Sequence, residues 1–121
     1  TLSLHDALPI FTKGYGDKFA LETDPFMAAS GADILITDTW TSMGEEAEKE
    51  ERKKIFKDYQ INRQLLAAAN AGAMVQHCLP AYRGQEITEE VFEEHADEIF
   101  NEAENRLHAQ KAVMVKLMKK D

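Results

Sequence analysis

Two short apolar runs stand out from the charged and helically spaced positions of this chain. Ile34-Leu35-Ile36-Thr37 is bounded by Gly31 and Asp38, and Ala73-Met74-Val75-Gln76 by Gly72 and His77. Runs of that length, ended by turn residues, predict buried strands over 33–37 and 73–77. The segments between them carry helix signals. Asp24 to Ser30 reads as a short helix, with Thr23 as N-cap, Pro25 in its first turn and Gly31 as its stop. Glu45 to Lys57 is almost entirely charged, and Glu45/Lys49, Glu48/Arg52 and Glu50/Lys54 have the favourable i, i+4 order. It predicts a helix with a wide solvated face, pinned by Ile55 and Phe56. Asn62 caps a helix through Ala69 that ends near Gly72, and Thr88 caps another to about His95. Glu102 to Lys120 is the longest predicted helix. Its acids at the start and lysines at the end suit the helix dipole. Ala103, Leu107, Val113, Met114, Leu117 and Met118 give it a broad apolar face. Weaker signals suggest an edge strand over Lys18–Glu22, a linker or very short strand at Tyr59-Gln60-Ile61, and a last short strand at Glu98-Ile99-Phe100.

Strands alternating with helices predict an α/β domain, three-layered and Rossmann-like, built on a parallel sheet and ending in a long helix. Two confident strands are few for a doubly wound sheet, so the chain reads as a piece of a larger α/β protein. With 121 residues it is one domain at most. Residues 1–17 lack a clean period and form a separate, unmatched segment; 18–121 form the domain. Gly14 and Gly16 have no third glycine at the spacing of a dinucleotide loop.

The formal net charge of −8 argues against nonspecific nucleic-acid binding, which needs basic patches. One Cys excludes an intrachain disulfide framework and fits a reducing compartment. No apolar run approaches the roughly 18 residues of a membrane span, and no signal segment opens the chain. A cytoplasmic, soluble protein without membrane or nucleic-acid partners is the expectation.

Chemistry concentrates after the two strands. Asp38-Thr39-Trp40-Thr41-Ser42-Met43-Gly44 follows the first and His77-Cys78-Leu79-Pro80 the second, at the sheet edge where open α/β folds bind ligands. Ser42-x-x-Glu45 is a capping box. The same helix start offers free N–H groups to a carboxylate, and Asp38 can pair with an ammonium, so the two can clamp an amino-acid head group. Cys78 is either a small buried hydrophobe or a reactive thiol. His77 is its neighbour, although adjacent strand residues face opposite ways. One Cys and one His do not make a zinc site. Arg106, near the predicted start of the last helix, either pairs with Glu102 or holds an anionic or carbonyl oxygen.

Three motifs in this order resemble the C-terminal half of ornithine carbamoyltransferases. They are Asp38-x-x-x-Ser42-Met43-Gly44, His77-Cys78-Leu79-Pro80, and Glu102-Ala103-Glu104-Asn105-Arg106-Leu107-His108-Ala109-Gln110-Lys111-Ala112. Thr37-Asp38-Thr39-Trp40 and Arg83-Gly84-Gln85-Glu86-Ile87-Thr88 are similar to the bacterial type, and the likeness runs from about Lys18 to Met118. The resemblance implies an ornithine-binding domain that faces a carbamoyl-phosphate domain across a cleft. The δ-amine of ornithine would attack carbamoyl phosphate to give citrulline and phosphate, in arginine metabolism, with no cofactor or metal. By the same resemblance, Asp38, Ser42 and Met43 bind ornithine and Cys78 is the proton acceptor. Cys78, Leu79 and Arg106 line the carbamoyl-phosphate site, and the family assembles as homotrimers.

The likeness has limits. The carbamoyl-phosphate domain and its Ser-Thr-Arg-Thr phosphate loop are absent from these residues. The chain alone is therefore expected to be inactive and to expose apolar surface on its last helix; citrulline formation by the isolated chain would contradict that. Rival readings are a carbamoyltransferase acting on putrescine or an acylated ornithine, and a non-catalytic amino-acid-binding module. A phospho-acceptor receiver domain would need an acidic pair and a later Lys. The second strand ends instead in His77-Cys78-Leu79-Pro80.

Overall fold

The computed structural model describes residues 15–41 and 48–119, apart from the side chain of Asp17. A 3-10 turn at Gly16–Lys18 is followed by α1 (Pro25–Ala29), β1 (Ile34–Thr37), α2 (Lys49–Phe56), a second 3-10 turn at Lys57–Tyr59, α3 (Arg63–Ala68), β2 (Met74–His77), α4 (Glu89–Glu94) and α5 (Ala96–Met118). β1 and β2 pair in parallel, with Ile34 opposite Met74 and Thr37 opposite His77.

Local chemistry accounts for most boundaries. Asp24, not Thr23, caps α1: its carboxylate accepts from the N–H groups of Phe26 and Met27 at 2.8 and 3.3 Å. Pro25 sets this choice, because the residue before a proline is held extended, as an N-cap must be. Asn62 caps α3 through the Leu65 N–H at 2.9 Å, and Thr88 caps α4 through Val91. Both were legible from the sequence. The edge strand expected over Lys18–Glu22 does not form; the sheet has two strands among the described residues. The Glu22 carboxylate instead takes the N–H groups of Thr23 and Asp24, closing a local turn.

The core gathers Leu35, Val75, Ile61, Leu65, Ile87, Val91, Phe92 and Ile99. β1 departs from the expected doubly buried strand. Leu35 is buried, whereas Ile34 and Ile36 are exposed among the described residues, so one face of the strand is covered and the other open. In α2 the pair Glu48–Arg52 forms at 2.9 Å, but Lys53 rather than Lys54 reaches Glu50. Ile55 lies exposed and pins nothing. Phe56 makes the contact, with ring centroids 6.3 Å from Trp40 and 6.2 Å from Tyr59.

The short strand expected at Glu98–Phe100 is the first turn and a half of α5. Ile99 is fully buried and Phe100 exposed. The Ile99 N–H donates to the His95 carbonyl in helical register, and a three-residue window with two apolar side chains was too short to separate the two periods. Glu98 has a separate task. Its carboxylate accepts from the Val75 N–H at 2.8 Å and meets His95 Nδ1 at 2.9 Å. A helix side chain thereby occupies the outer edge of β2. Burial works against the Glu98 charge, but the Val75 N–H and His95 outweigh it and hold the carboxyl below its usual range.

A group whose folded pKa is depressed stabilises the fold above its unfolded pKa, and that contribution is lost as pH falls through the folded value. Glu98→Gln is therefore expected to lower the unfolding midpoint at pH 7 and to lose that difference below about pH 4. Thermal unfolding of both forms across that range checks it; a gap independent of pH would show that the charge contributes nothing.

Candidate active site

The strand register builds the site. Thr37 and His77 are paired, so the next residues, Asp38 and Cys78, leave the sheet side by side at its C-terminal edge. Ligating atoms of Asp38, His77 and Cys78 all lie within 4.8 Å of one another. The Asp38 carboxylate also accepts from the Thr39 N–H at 2.7 Å, which fixes its rotamer.

His77 and Glu86 form the buried base of the site, both with zero exposure. The Leu79 N–H donates to His77 Nδ1 at 3.0 Å, so Nδ1 carries no proton. The proton sits on Nε2, which donates to Glu86 Oε1 at 3.1 Å. The same carboxylate oxygen accepts from the Tyr82 N–H. Glu86 is held in turn by its neighbours. Its carbonyl accepts from the Ile61 N–H, and the Ile61 carbonyl accepts from the Thr88 N–H. Of the segment Tyr59-Gln60-Ile61, Tyr59 closes a 3-10 turn and Ile61 alone forms an isolated parallel bridge, to Ile87. These bonds fold the loop after β2 back over its own strand.

That loop carries the backbone irregularity of the site. Leu79 has φ +58, in the left-handed region, and the Leu79–Pro80 bond is cis. A left-handed L-residue costs about 1–2 kcal/mol, and the His77–Glu86 network holds it there. A left-handed non-glycine residue such as Leu79 is the kind of backbone that clusters at ligand sites.

The Cys78 thiol is half-buried. Burial pushes its pKa up, and a hydrogen bond to Asp38 and the charges of Asp38 and Glu102 push the same way; Arg106 opposes them without prevailing. The thiol is therefore protonated at neutral pH, close beside the Asp38 carboxylate. His77 does not take part, since its ring is turned to Glu86 and Leu79. With both imidazole nitrogens engaged, the trio lacks a free imidazole lone pair and suits a metal ion poorly.

α5 brings Arg106 to the same edge, close enough to act on the Cys78 thiol. The Arg106–Glu102 pair that the spacing allows is not formed among the described residues. Ser42 and Met43, with the Ser42–Glu45 capping box and Glu45–Ala47 of the predicted helix, lie outside the described residues. The chain leading towards them is held at Trp40, whose carbonyl accepts from the Arg52 guanidinium at 3.4 Å. Sequence reasoning missed Glu86, and offered Glu102 only as an ion-pair partner for Arg106. A histidine ending a buried strand implies a buried acceptor, and that was the one available signal for Glu86.

The model of the aspartate/ornithine carbamoyltransferase Asp/Orn-binding domain matches residues 4–117. The chain belongs to that family. It is 56% identical over 110 residues to an ornithine carbamoyltransferase of a Nitratiruptor species, which covers 91% of this chain and 36% of the relative. It is 58% identical over 103 residues to that of Gloeobacter violaceus, covering 85% of the chain and 33% of the relative. The crystal structure of the anabolic ornithine carbamoyltransferase from Campylobacter jejuni superposes with a TM-score of 0.85 at 44% identity, over 97% of this chain and 39% of that one. The chain thus spans about a third of the length of the curated relatives it matches. Its fold is the Rossmann-like α/β architecture of these neighbours, and the receiver-domain reading is set aside by the family match.

Proposed function

We propose that the protein to which this chain belongs transfers the carbamoyl group of carbamoyl phosphate to the δ-amine of L-ornithine, giving citrulline and phosphate. The carrying observation is the placement of Asp38 beside Cys78 at the sheet edge, with Arg106 close enough to act on the thiol. Asp38, Ser42 and Met43 take ornithine. Cys78, Leu79 and Arg106 take the carbamoyl group, with the Arg106 guanidinium on its oxygen.

The chemistry follows from these positions. An amine attacks only when neutral, so a proton must leave it. A protonated thiol cannot simply accept one. Cys78 and Asp38 act instead as a unit: the amine proton moves to Sγ while the thiol hydrogen moves to the Asp38 carboxylate. The nitrogen lone pair forms the C–N bond, and the carbonyl oxygen gains negative charge against Arg106. Collapse of that intermediate breaks the C–O bond to phosphate, and the second proton of the attacking nitrogen leaves with the phosphate oxygen. No cofactor is needed for this sequence of steps.

The reading also implies a carbamoyl-phosphate domain across the cleft, a homotrimer, a cytoplasmic setting and a role in arginine metabolism. Residues 18–121 are the ornithine-binding unit. No helix of the described residues is long and apolar enough to cross a membrane. Leu107, Met114 and Leu117 of α5 are exposed and offer the surface on which the other domain would pack. The acceptor is tested by comparing turnover of ornithine, putrescine and N-acetylornithine, with a carbamoyl-phosphate domain present. A kcat/KM for ornithine at least tenfold above both rivals is expected. Preference for putrescine would show that no α-carboxylate is being read.

A further inference from the structure

Cys78 sits inside a ring that the chain closes on itself. The imidazole of the residue before it, His77, accepts the N–H of the residue after it, Leu79, at 3.0 Å. The other nitrogen of that imidazole meets Glu86 Oε1 at 3.1 Å, and the same oxygen accepts the Tyr82 N–H. One imidazole–carboxylate pair therefore holds the loop at two points, Leu79 and Tyr82. Residues 78–81 make no backbone–backbone hydrogen bond among the described residues, so this pair carries the anchoring. Both His77 and Glu86 have zero exposure, which keeps them from touching a substrate. The arrangement needs an acceptor at the δ position and a donor at the ε position of one rigid side chain, and a neutral histidine alone supplies both. Simple packing against the core would require neither.

We propose that His77 is a positioning residue for carbamoyl transfer. Its δ nitrogen fixes the Cys78–Leu79 backbone beside Asp38, and its ε nitrogen, tied to Glu86, holds the ring and its tautomer. This rests on the carbamoyl-transfer reading and extends it to a residue to which that reading gave no role. A reacting group displaced by about 1 Å can cost about 10²-fold in rate, so a fixed loop matters to the chemistry as well as to the fold. The two jobs can be separated. Asparagine carries an oxygen near the δ position and does not reach Glu86. Glutamine carries an N–H donor near the ε position and has no acceptor for Leu79.

The test compares His77→Asn and His77→Gln with wild type, in the protein with its carbamoyl-phosphate domain present. Removing the donor to a buried carboxylate costs more than removing the acceptor of one backbone N–H, so His77→Asn should have the lower unfolding midpoint. Activity should run the other way. For His77→Gln, kcat/KM for carbamoyl phosphate is expected to fall about 10²-fold, and for His77→Asn by less than about tenfold. Alkylation of Cys78 by iodoacetamide, mapped to its peptide by mass spectrometry, should quicken severalfold in His77→Gln, where the half-buried thiol is released, and change little in His77→Asn. Activity that falls in the order of stability, or a His77→Gln variant with the wild-type kcat/KM, would overturn the inference and leave the transfer reading intact. If His77→Asn does not fold, His77→Gln decides alone: a near-wild-type midpoint with the loss of rate supports the role. A wild type that forms no citrulline sinks the transfer reading instead. The alkylation rates then decide for His77, a rise confined to His77→Gln supporting the role and equal rates in all three forms overturning it.

Discussion

Glu86→Ala is expected to destabilise the fold by about 3–5 kcal/mol, the cost of removing one partner of a buried polar pair. Glu86 Oε1 takes two buried or half-buried donors, His77 Nε2–H and the Tyr82 N–H. Deleting the carboxylate strands both and leaves a void under the loop after β2. His77 also orients that loop, since its Nδ1 accepts from the Leu79 N–H at 3.0 Å. Loss of Glu86 should therefore free the imidazole to turn, release the left-handed Leu79 and disorder the residues beside Cys78. Glu86→Gln keeps a carbonyl acceptor and is expected to cost less than half as much. Denaturant unfolding of both variants separates the cases. An Ala variant within about 1 kcal/mol of wild type would mean that the buried pair does not hold the loop.

Arg106→Ala is expected to lower kcat by 10²–10³, the usual effect of deleting one donor to a developing oxyanion, with ornithine binding little changed. The guanidinium lies at the Cys78 edge without an ion-pair partner among the described residues, so its charge is available to a ligand. Its loss should fall on the chemical step and on carbamoyl phosphate. Arg106→Lys should recover only part of the rate, because an ammonium lacks the planar fork of donors. Steady-state rates at saturating ornithine check this; a kcat equal to wild type would remove Arg106 from the mechanism.

The contrast between these two residues shows what the sequence could disclose. Arg106 was legible because an arginine near a presumed helix start is electrostatically odd and because it sits in a recognisable motif. The structure then lengthened the helix to begin at Ala96, which removes the oddness while keeping the residue at the edge. Asp38 and Cys78 were legible from the ends of two apolar runs, and the parallel register converted two separate strand ends into one site. Asn62, Thr88 and Gly72 punctuated the chain as their chemistry dictates. Glu86 was not legible: it lies in an acidic, turn-rich stretch where nothing periodic marks one carboxylate as buried. Its burial is decided by His77, nine positions earlier in sequence. Glu98 was misread for a related reason, since a three-residue window cannot distinguish a strand from a helix turn that uses its acid to satisfy Val75. The exposed apolar face of α5 was expected from the sequence and is seen at Leu107, Met114 and Leu117, whereas the exposure of Ile34 and Ile36 was not, because a short apolar run does not say which of its two faces is covered.

Asp38 and Cys78, acting together on an amine beside Arg106, carry the proposed reaction. The most direct measurement is citrulline formation from L-ornithine and carbamoyl phosphate, with a carbamoyl-phosphate domain joined to this chain, for wild type and Asp38→Asn. Citrulline is predicted for the wild type, with a fall of about 10²–10⁴ on losing the carboxylate, the range for a proton-transfer partner. An Asp38→Asn variant that retains the wild-type rate, or a wild type that forms no citrulline, would contradict it.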